Sequence, residues 1–404
     1  MSSSKLIAHS QLFKALKLKC QQHQTQRFLA AIAEPKVDQV RSKMKAWQIH
    51  SYGGLDELQL SEARLPSISA DRILIKVSTS SVNPLDVAMT NGYGAILLNK
   101  IRQTEAGSCE PIVEFPLILG RDFSGTIIAK GDKVGSEFQI GDEVFGVTQP
   151  HESGCHAEFV SAHKCLVHKL PENIKPIEAG STLYTGLTAW SALKVTGDLA
   201  LIPPKNKVVL VIGGAGGVGS AAIQLLKAWD AQVVATCAAD AVPLVQSLKA
   251  DVVIDYSSNA SELISVLQSV GKYDIILDAA GIPESEIPNY LPLLKEWSLA
   301  KFITLKSPLL RNIDENGVIN GMILNGFSLL ANNLPNLFKG STVRWGFFMP
   351  LNQGVKEIAH LLETGKMKSV IHKEFDFKEL KEAYQTVKDG HLRGKVVVKM
   401  EDEK

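Results

Sequence analysis

Cysteine is scarce: five residues in 404, at positions 20, 109, 155, 165 and 237, with no C-x-x-C pair among them. That scatter excludes a zinc ribbon and argues for free thiols in a reducing compartment. Net charge is equally slight. Forty-three basic residues against 42 acidic ones leave +1, which excludes the basic field expected of a nucleic-acid partner. The nineteen uncharged residues from Val208 to Leu226 approach the length of a membrane span. Five glycines, Gly213, Gly214, Gly216, Gly217 and Gly219, interrupt them. Each glycine costs about 0.8–1 kcal/mol against alanine within a helix, so the run is not a transmembrane segment. Carboxylates are missing from the first 33 residues, which hold Lys5, Lys14, Lys17, Lys19 and Arg27; the first acid is Glu34. A basic, acid-free stretch with apolar Leu12, Phe13, Leu16 and Leu18 reads as a mitochondrial presequence over residues 1–43. A disordered cytosolic tail is the alternative. A secretory signal is excluded for want of a continuous apolar core.

What the glycine-interrupted run does contain is a strand, a turn and a helix. Lys207–Ile212 is β-branched and apolar on both alternations, as in a strand buried within a parallel sheet. Gly213–Gly217 forms a turn and Val218–Trp229 has helical periodicity. The first N–H groups of a helix lack backbone partners and carry partial positive charge, so this junction suits an anion. Gly214-x-Gly216-x-x-Gly219 has the spacing of a dinucleotide fingerprint in the required context, with a second strand at Gln232–Thr236. At the end of that second strand, where an NAD site usually has a carboxylate, stands Cys237. A carboxylate would repel a 2′-phosphate, so the cofactor expected is NADPH. Asp240 either touches the adenine ribose or caps the next helix. No Lys or Arg follows until Lys249.

Before and after this region the pattern differs. "MKAWQIHSYG", "RILIKVSTSSVN", "DFSGTIIAKG" and "GDEVFGV" alternate apolar residues and end in turn formers, as antiparallel strands do. From about Tyr184 the chain alternates strands and helices, and it closes on the strand "KVVVKM". A β-rich domain drawn from both ends therefore brackets a doubly wound α/β insert.

With "GAGGVG" in the insert, this arrangement resembles the medium-chain dehydrogenase/reductase superfamily. "SVNPLDVAMTNGYG", "FPLILGRDFSGTI", "FQIGDEVFGV", "LTAWSAL", "RWGFFMP" and "GHLRGKVVV" resemble its zinc-less quinone oxidoreductase branch, and within it a group of mitochondrial NADPH oxidoreductases. The resemblance implies a GroES-like substrate domain at 44–184, a Rossmann domain at 185–343 and a return to the substrate domain at 344–404. It implies cofactor contacts at Ala215, Gly216, Gly217 and Val218, at Tyr256, at Leu305, at Phe347, and at His391, Leu392 and Arg393. Gly214, Gly219 and Cys237 join them from the fingerprint. Ala238 and Ala279 stand where the family is expected to have Ser and Asn, and keep only backbone contacts. Tyr256 also reads as a packed strand-end aromatic, and Arg393 as a solvated side chain.

In the alcohol dehydrogenases of this superfamily a Gly-His-Glu motif helps build a catalytic zinc site. The matching residues here are Gly120, Arg121 and Asp122, and with the His replaced no metal is expected. Alcohol oxidation is then disfavoured against hydride delivery to a quinone or enone, whose conjugation stabilises the product anion. Candidate wall residues are Asn83, Tyr93 and Tyr184. Asn83 also reads as the turn former before Pro84, Tyr93 as a loop anchor, and Arg121 as the partner of Asp122 or Asp86. The expectation is a mitochondrial matrix reductase, a homodimer, with a tie to ubiquinone biosynthesis and to a reticulon-type membrane protein implied by resemblance. An enoyl-thioester reductase and a mainly non-catalytic reticulon-binding partner are the alternatives.

Overall fold

The computed structural model describes residues 42–108, 110, 112–257 and 262–400. The presequence expectation lies outside them except at its last two residues, and Lys43 already begins the first strand. Three sheets organise the described residues. The smallest holds β1 (Lys43–Ile49), β2 (Gln59–Arg64) and β4 (Leu117–Ile118), in the order β2-β1-β4. The second holds β3 (Arg72–Val82), β5 (Asp122–Lys130), β6 (Glu143–Val147), β7 (Phe159–His163), β8 (Val167–Lys169), β15 (Ile371–Asp376) and β16 (Lys395–Lys399). Its order is β15-β16-β3-β5-β6-β8, with β7 on β3, so the last strand of the chain pairs with one of the first. The alternation read from the sequence gives β3 its cross-strand registers, Ile73 and Ile75 inward and fully buried.

The third sheet is parallel throughout: β9 (Val208–Ile212), β10 (Gln232–Cys237), β11 (Val252–Asp255), β12 (Ile275–Asp278), β13 (Lys301–Thr304) and β14 (Thr342–Trp345). Its order, β11-β10-β9-β12-β13-β14, is that of a Rossmann domain, with the strand order reversing beside β9. β9 is buried on both faces. Val209 and Val211 belong to one core, Leu210 and Ile212 to another. Burying each such side chain contributes about 1.5–3 kcal/mol, which explains an apolar strand without alternation. β14 runs to Trp345, so the domain boundary drawn at residue 343 falls inside a strand of this sheet.

Five helices position the site: α1 (Pro84–Met89), α2 (Ala95–Glu105), α3 (Leu183–Trp190), α4 (Gly217–Ala228) and α5 (Leu309–Asn333). α4 buries Ala221, Ala222, Ile223, Leu225 and Leu226 against the sheet and against α3, every residue of which is buried. Among the described residues no helix is long and apolar enough to cross a membrane.

Candidate cofactor and substrate site

The turn between β9 and α4 is shaped by glycine at two positions for different reasons. Gly219 packs against the turn itself: a Cβ there would lie 2.1 Å from the Gly213 carbonyl oxygen. A Cβ on Gly216 would have only that same oxygen within reach, at 3.6 Å, so its free face opens onto the space at the helix start. Gly214 N–H donates to the Thr236 carbonyl at 2.8 Å, holding the turn at the ends of β9 and β10. No side chain caps α4. Its leading N–H groups and dipole are therefore left for an anion. Ala215 is buried beneath the turn and Val218 half-buried beside it. This cradle, bare where a Cβ would fill it, fits a dinucleotide pyrophosphate.

At the end of β10 the structure departs from the sequence reading. Cys237 is buried with Ile223, Ala241 and Val245 rather than turned to the surface, and burial pushes its thiol up to about 11. The strand end presents Ala238 and Tyr256, whose N–H donates to the Cys237 carbonyl at 3.0 Å. Tyr256 is exposed, not packed. The cation missing from the local sequence arrives from 153 residues away: Arg393 Nη2 and Nε donate to the Asp240 carboxylate at 2.9 and 3.1 Å. That pairing holds the Asp240 carboxyl below its usual range, so Asp240 is a partner of Arg393 rather than a bare cap. Arg393 is carried by a loop in which Gly394 bridges to Gly216 in parallel fashion. His391, at φ 54°, and Leu392 precede it, and the Arg393 N–H donates to His372 Nδ1 at 3.3 Å. The structure thus brings the phosphate turn, Tyr256, Asp240 and the 391–394 loop together.

The other end of the site lies at the carboxyl ends of β12 and β13. Ala279 extends β12 by donating to the Ile212 carbonyl at 3.0 Å. Beside it Asp278 is buried; its carboxylate takes the N–H groups of Ala280, Gly281 and Ile282 and the Thr304 hydroxyl. Leu305 abuts Gly346, placing it next to Phe347 and Phe348. Phe348 stacks on Tyr184 with centroids 4.6 Å apart. The Tyr184 hydroxyl is raised well above its usual range, first by burial and then by Asp86, with Tyr93 a smaller contributor. Tyr93, in the loop leading to α2, is half-buried and raised by burial.

Asn83 is not a free wall residue. It is fully buried; its amide donates to Asp122 Oδ1 at 3.1 Å and its oxygen accepts from Lys395 Nζ. Its backbone N–H donates to Asp86 Oδ2 at 2.9 Å, which starts α1. Lys395 lies 3.9 Å from Asp122 and 5.8 Å from the Tyr184 ring centre, and burial lowers its pKa. Sequence reasoning missed Lys395, since a lysine opening the strand "KVVVK" looks like an ordinary exposed end. Phe348 was missed beside Phe347 for the same lack of a distinguishing pattern.

Arg121, where the alcohol dehydrogenases have a metal-binding His, is completely buried. Of the two pairings left open, the structure has Asp86: Nε lies 3.5 Å from Asp86 Oδ1, while Nη1 donates to the carbonyls of Gln149 and Glu152. The neighbouring donors are committed. Cys155 Sγ pairs with Ser80 Oγ at 3.1 Å, and the His156 ring nitrogens meet Tyr384 Oη and the Ser81 carbonyl at 2.9 and 3.2 Å. A guanidinium amid such a set does not fit a zinc ion, which wants thiolate, imidazole or carboxylate ligands turned to one point.

Comparison with known proteins agrees with the geometry. Residues 69–172 match the alcohol dehydrogenase GroES-like domain and residues 248–398 the zinc-binding dehydrogenase family. The chain is 40% identical over 383 residues to the mitochondrial NAD(P)H oxidoreductase RTN4IP1 of Drosophila melanogaster, covering 91% of this chain and 89% of that one. It is 39% identical to the protein of that name in Homo sapiens, over 88% of this chain and 89% of the relative. The quinone oxidoreductase of Coxiella burnetii superposes with a TM-score of 0.70 at 26% identity, covering 89% of this chain and all of that one. With the Rossmann order, the glycine cradle and the GroES-like sheet in one chain, this protein belongs to the medium-chain dehydrogenase/reductase family and is an oxidoreductase that takes a nicotinamide dinucleotide.

Proposed function

We propose that the protein is a mitochondrial matrix reductase, active as a homodimer, that prefers NADPH and delivers hydride to a quinone or related conjugated carbonyl without zinc. The observation that carries the cofactor preference is Arg393, held by Asp240 at the end of β10 beside the phosphate turn. Its guanidinium, whose Nε–Nη2 edge is paired with Asp240, brings the positive charge that a 2′-phosphate would draw away from that carboxylate. The nicotinamide, when bound, supplies the hydride. The chain's own residues orient and enclose: Gly216 and the α4 N-terminus hold phosphate, Tyr256 and Ala238 line the adenosine end, and Leu305 with Phe347 lines the other. Tyr184, stacked on Phe348, gives an aromatic surface suited to a flat, apolar acceptor, with Tyr93 in the loop before α2 as a further candidate. The tomato relative named 2-methylene-furan-3-one reductase, 28% identical over 91% of this chain, supports a conjugated carbonyl. A tie to ubiquinone biosynthesis and to a reticulon-type membrane protein belongs to the same proposal. The latter is supported by the name of the Caenorhabditis elegans relative, reticulon-4-interacting protein 1, 33% identical.

The test is turnover of NADPH by the purified protein against panels of quinones, enones and enoyl thioesters. Quinone or enone reduction that survives chelation is expected. With solvent as proton source, Tyr93→Phe and Tyr184→Phe should each lower kcat far less than the 10²–10⁴-fold of a lost general acid. Turnover confined to enoyl thioesters would assign the related thioester reductase activity instead. Tight NADPH binding without turnover of any panel would leave a binding partner that retains its cofactor.

A further inference from the structure

Hydride delivery to a conjugated carbonyl leaves an anion that must take a proton, so the site needs a proton route as well as a hydride route. Most of the groups around it are ill-suited to give one. The Tyr184 hydroxyl is held far above its usual range, first by burial. Cys155 is raised by burial too and is bonded to Ser80, and both ring nitrogens of His156 are engaged. Arg121 keeps its proton, as arginines in proteins do. Asp278 is closed off by the N–H groups of Ala280, Gly281 and Ile282 and by the Thr304 hydroxyl.

Lys395, the first residue of β16, differs. It is 5% exposed, and lysine is seldom buried so far unless it is paired. An ammonium carries three donors. Among the described residues, Asn83 Oδ1 accepts one of them, and Asp122 at 3.9 Å is too far to accept another. A buried cation with donors to spare is costly without a ligand. Its position suits one. The Lys395 Cδ lies 3.1 Å from where a Gly217 Cβ would stand, at the phosphate cradle. Its Nζ lies 5.8 Å from the centre of the Tyr184 ring, the aromatic surface assigned above to the acceptor. Burial lowers its pKa against the opposing pull of Asp122 and Asp86, the direction a donor working near neutral pH needs.

A buried donor must also be recharged. Lys395 borders a narrow cleft between α3, α4 and the segment before β15, with room for about one water molecule. Buried hydroxyls line it. Those of Thr182, Thr185 and Ser220 donate to backbone carbonyls, which leaves their lone pairs free to accept. In the same cleft Ser181 Oγ meets Ser369 Oγ at 2.7 Å, next to exposed Lys368.

We infer that Lys395 is the group that protonates the reduced acceptor, and that it is recharged from solvent through this cleft. The inference rests on the reductase reading above and names its proton route. The acceptor gains two electrons as hydride. Its carbonyl oxygen then takes the proton as an Nζ–H bond breaks and an O–H bond forms, and the neutral amine recovers a proton from water. Solvent is the source and Lys395 the last carrier, so neither tyrosine is required.

Three variants test this. Lys395→Met should lower kcat for quinone or enone reduction by about 100-fold or more. Lys395→Arg should do nearly the same, because arginine keeps the charge but has no proton to transfer. It also keeps the test decisive should the other variants misfold. Lys395→Ala should regain about tenfold of the lost rate when ethylammonium is added, which a merely structural lysine would not show. Outside turnover, the NADP⁺ complex should bind 4-nitrophenol, a mimic of the product anion, as the phenolate. Its absorption should report binding weaker by about tenfold or more in Lys395→Met. Calorimetric NADPH affinity is expected within about threefold of wild type in all three. Lys395→Arg turning over at the wild-type rate would overturn the inference, as would an absence of amine rescue with NADPH binding intact. Loss of NADPH binding in variants that keep the wild-type dichroism would give the ammonium to the cofactor phosphates and overturn it as well. A wild type that reduces no quinone or enone would instead overturn the reductase reading, and this inference with it.

Discussion

At the scale of single residues, the two ends of the glycine fingerprint separate folding from binding. Gly216→Val places its side chain where the protein has open space, so the melting temperature without cofactor should stay within about 2 °C of wild type while NADPH and NADH binding are both lost. Gly219→Ala meets the Gly213 carbonyl at 2.1 Å, so it should unfold at a lower temperature even without cofactor. Thermal melts paired with calorimetry distinguish the two. If Gly216→Val bound either dinucleotide normally, the cradle would be elsewhere. The Arg393–Asp240 pair gives a second contrast. Arg393→Met should weaken NADPH by about 10–100-fold, the worth of charge-assisted hydrogen bonds at roughly 1.5–3 kcal/mol, and leave NADH nearly unchanged. Asp240→Asn frees the guanidinium and should tighten NADPH. Equal losses for both cofactors in Arg393→Met would remove Arg393 from phosphate recognition. Neither residue's part was complete in the sequence. Arg393 entered by resemblance, but its partner Asp240 lies 153 positions earlier, and only folding makes them neighbours.

Elements show which signals travel from sequence to structure. β9, the turn and α4 were legible because one local pattern sets all three: an apolar strand, clustered glycines, then helical periodicity. The long broken helix α5 was not, since its Asn and Gly content reads as turn-forming and its apolar face has no partner among the described residues. The burial of Cys237 was not legible either, since position at a strand end does not say which way the side chain turns, and the register of β10 places it in the core with Ile223. Buried polar joints between elements are equally invisible beforehand. His156 joins the strand-rich domain to Tyr384, and with both ring nitrogens engaged and the ring fully buried its pKa is depressed, chiefly by burial. The folded protein then binds a proton at His156 less readily than the unfolded chain does. Its stabilisation is whole above the unfolded value of about 6.5 and is lost as pH falls toward the depressed folded value. The melting temperature should therefore drop between about pH 6.5 and 5, and His156→Asn should flatten that slope. A slope unchanged in the variant would put the titration on another group; carboxylates such as Glu152, whose range lies lower, act below it.

At the scale of the whole molecule, the site exists because the end of the chain comes back. β16 pairs with β3 in the strand-rich sheet, and the loop before it reaches the β9–α4 turn through the Gly216–Gly394 bridge. Lys395 follows directly, tying the loop to Asn83 and Asp122. One short segment therefore fixes the two domains relative to the phosphate cradle and carries Arg393 to Asp240 at the end of β10. Its geometry depends on Gly394, at φ 98°, where a Cβ would lie 2.1 Å from the Val370 carbonyl oxygen. An alanine there must displace backbone, so the loop should move while β9–β14 and α4 keep their own cores. Gly394→Ala should accordingly retain its far-ultraviolet dichroism and weaken NADPH binding by tenfold or more. The rise in melting temperature that saturating NADPH gives the wild type, which follows from binding to the folded state alone, should shrink in the same variant. Should Gly394→Ala bind NADPH as tightly as wild type, the returning loop would be a structural tie between domains only, and the Rossmann insert would hold its cofactor unaided.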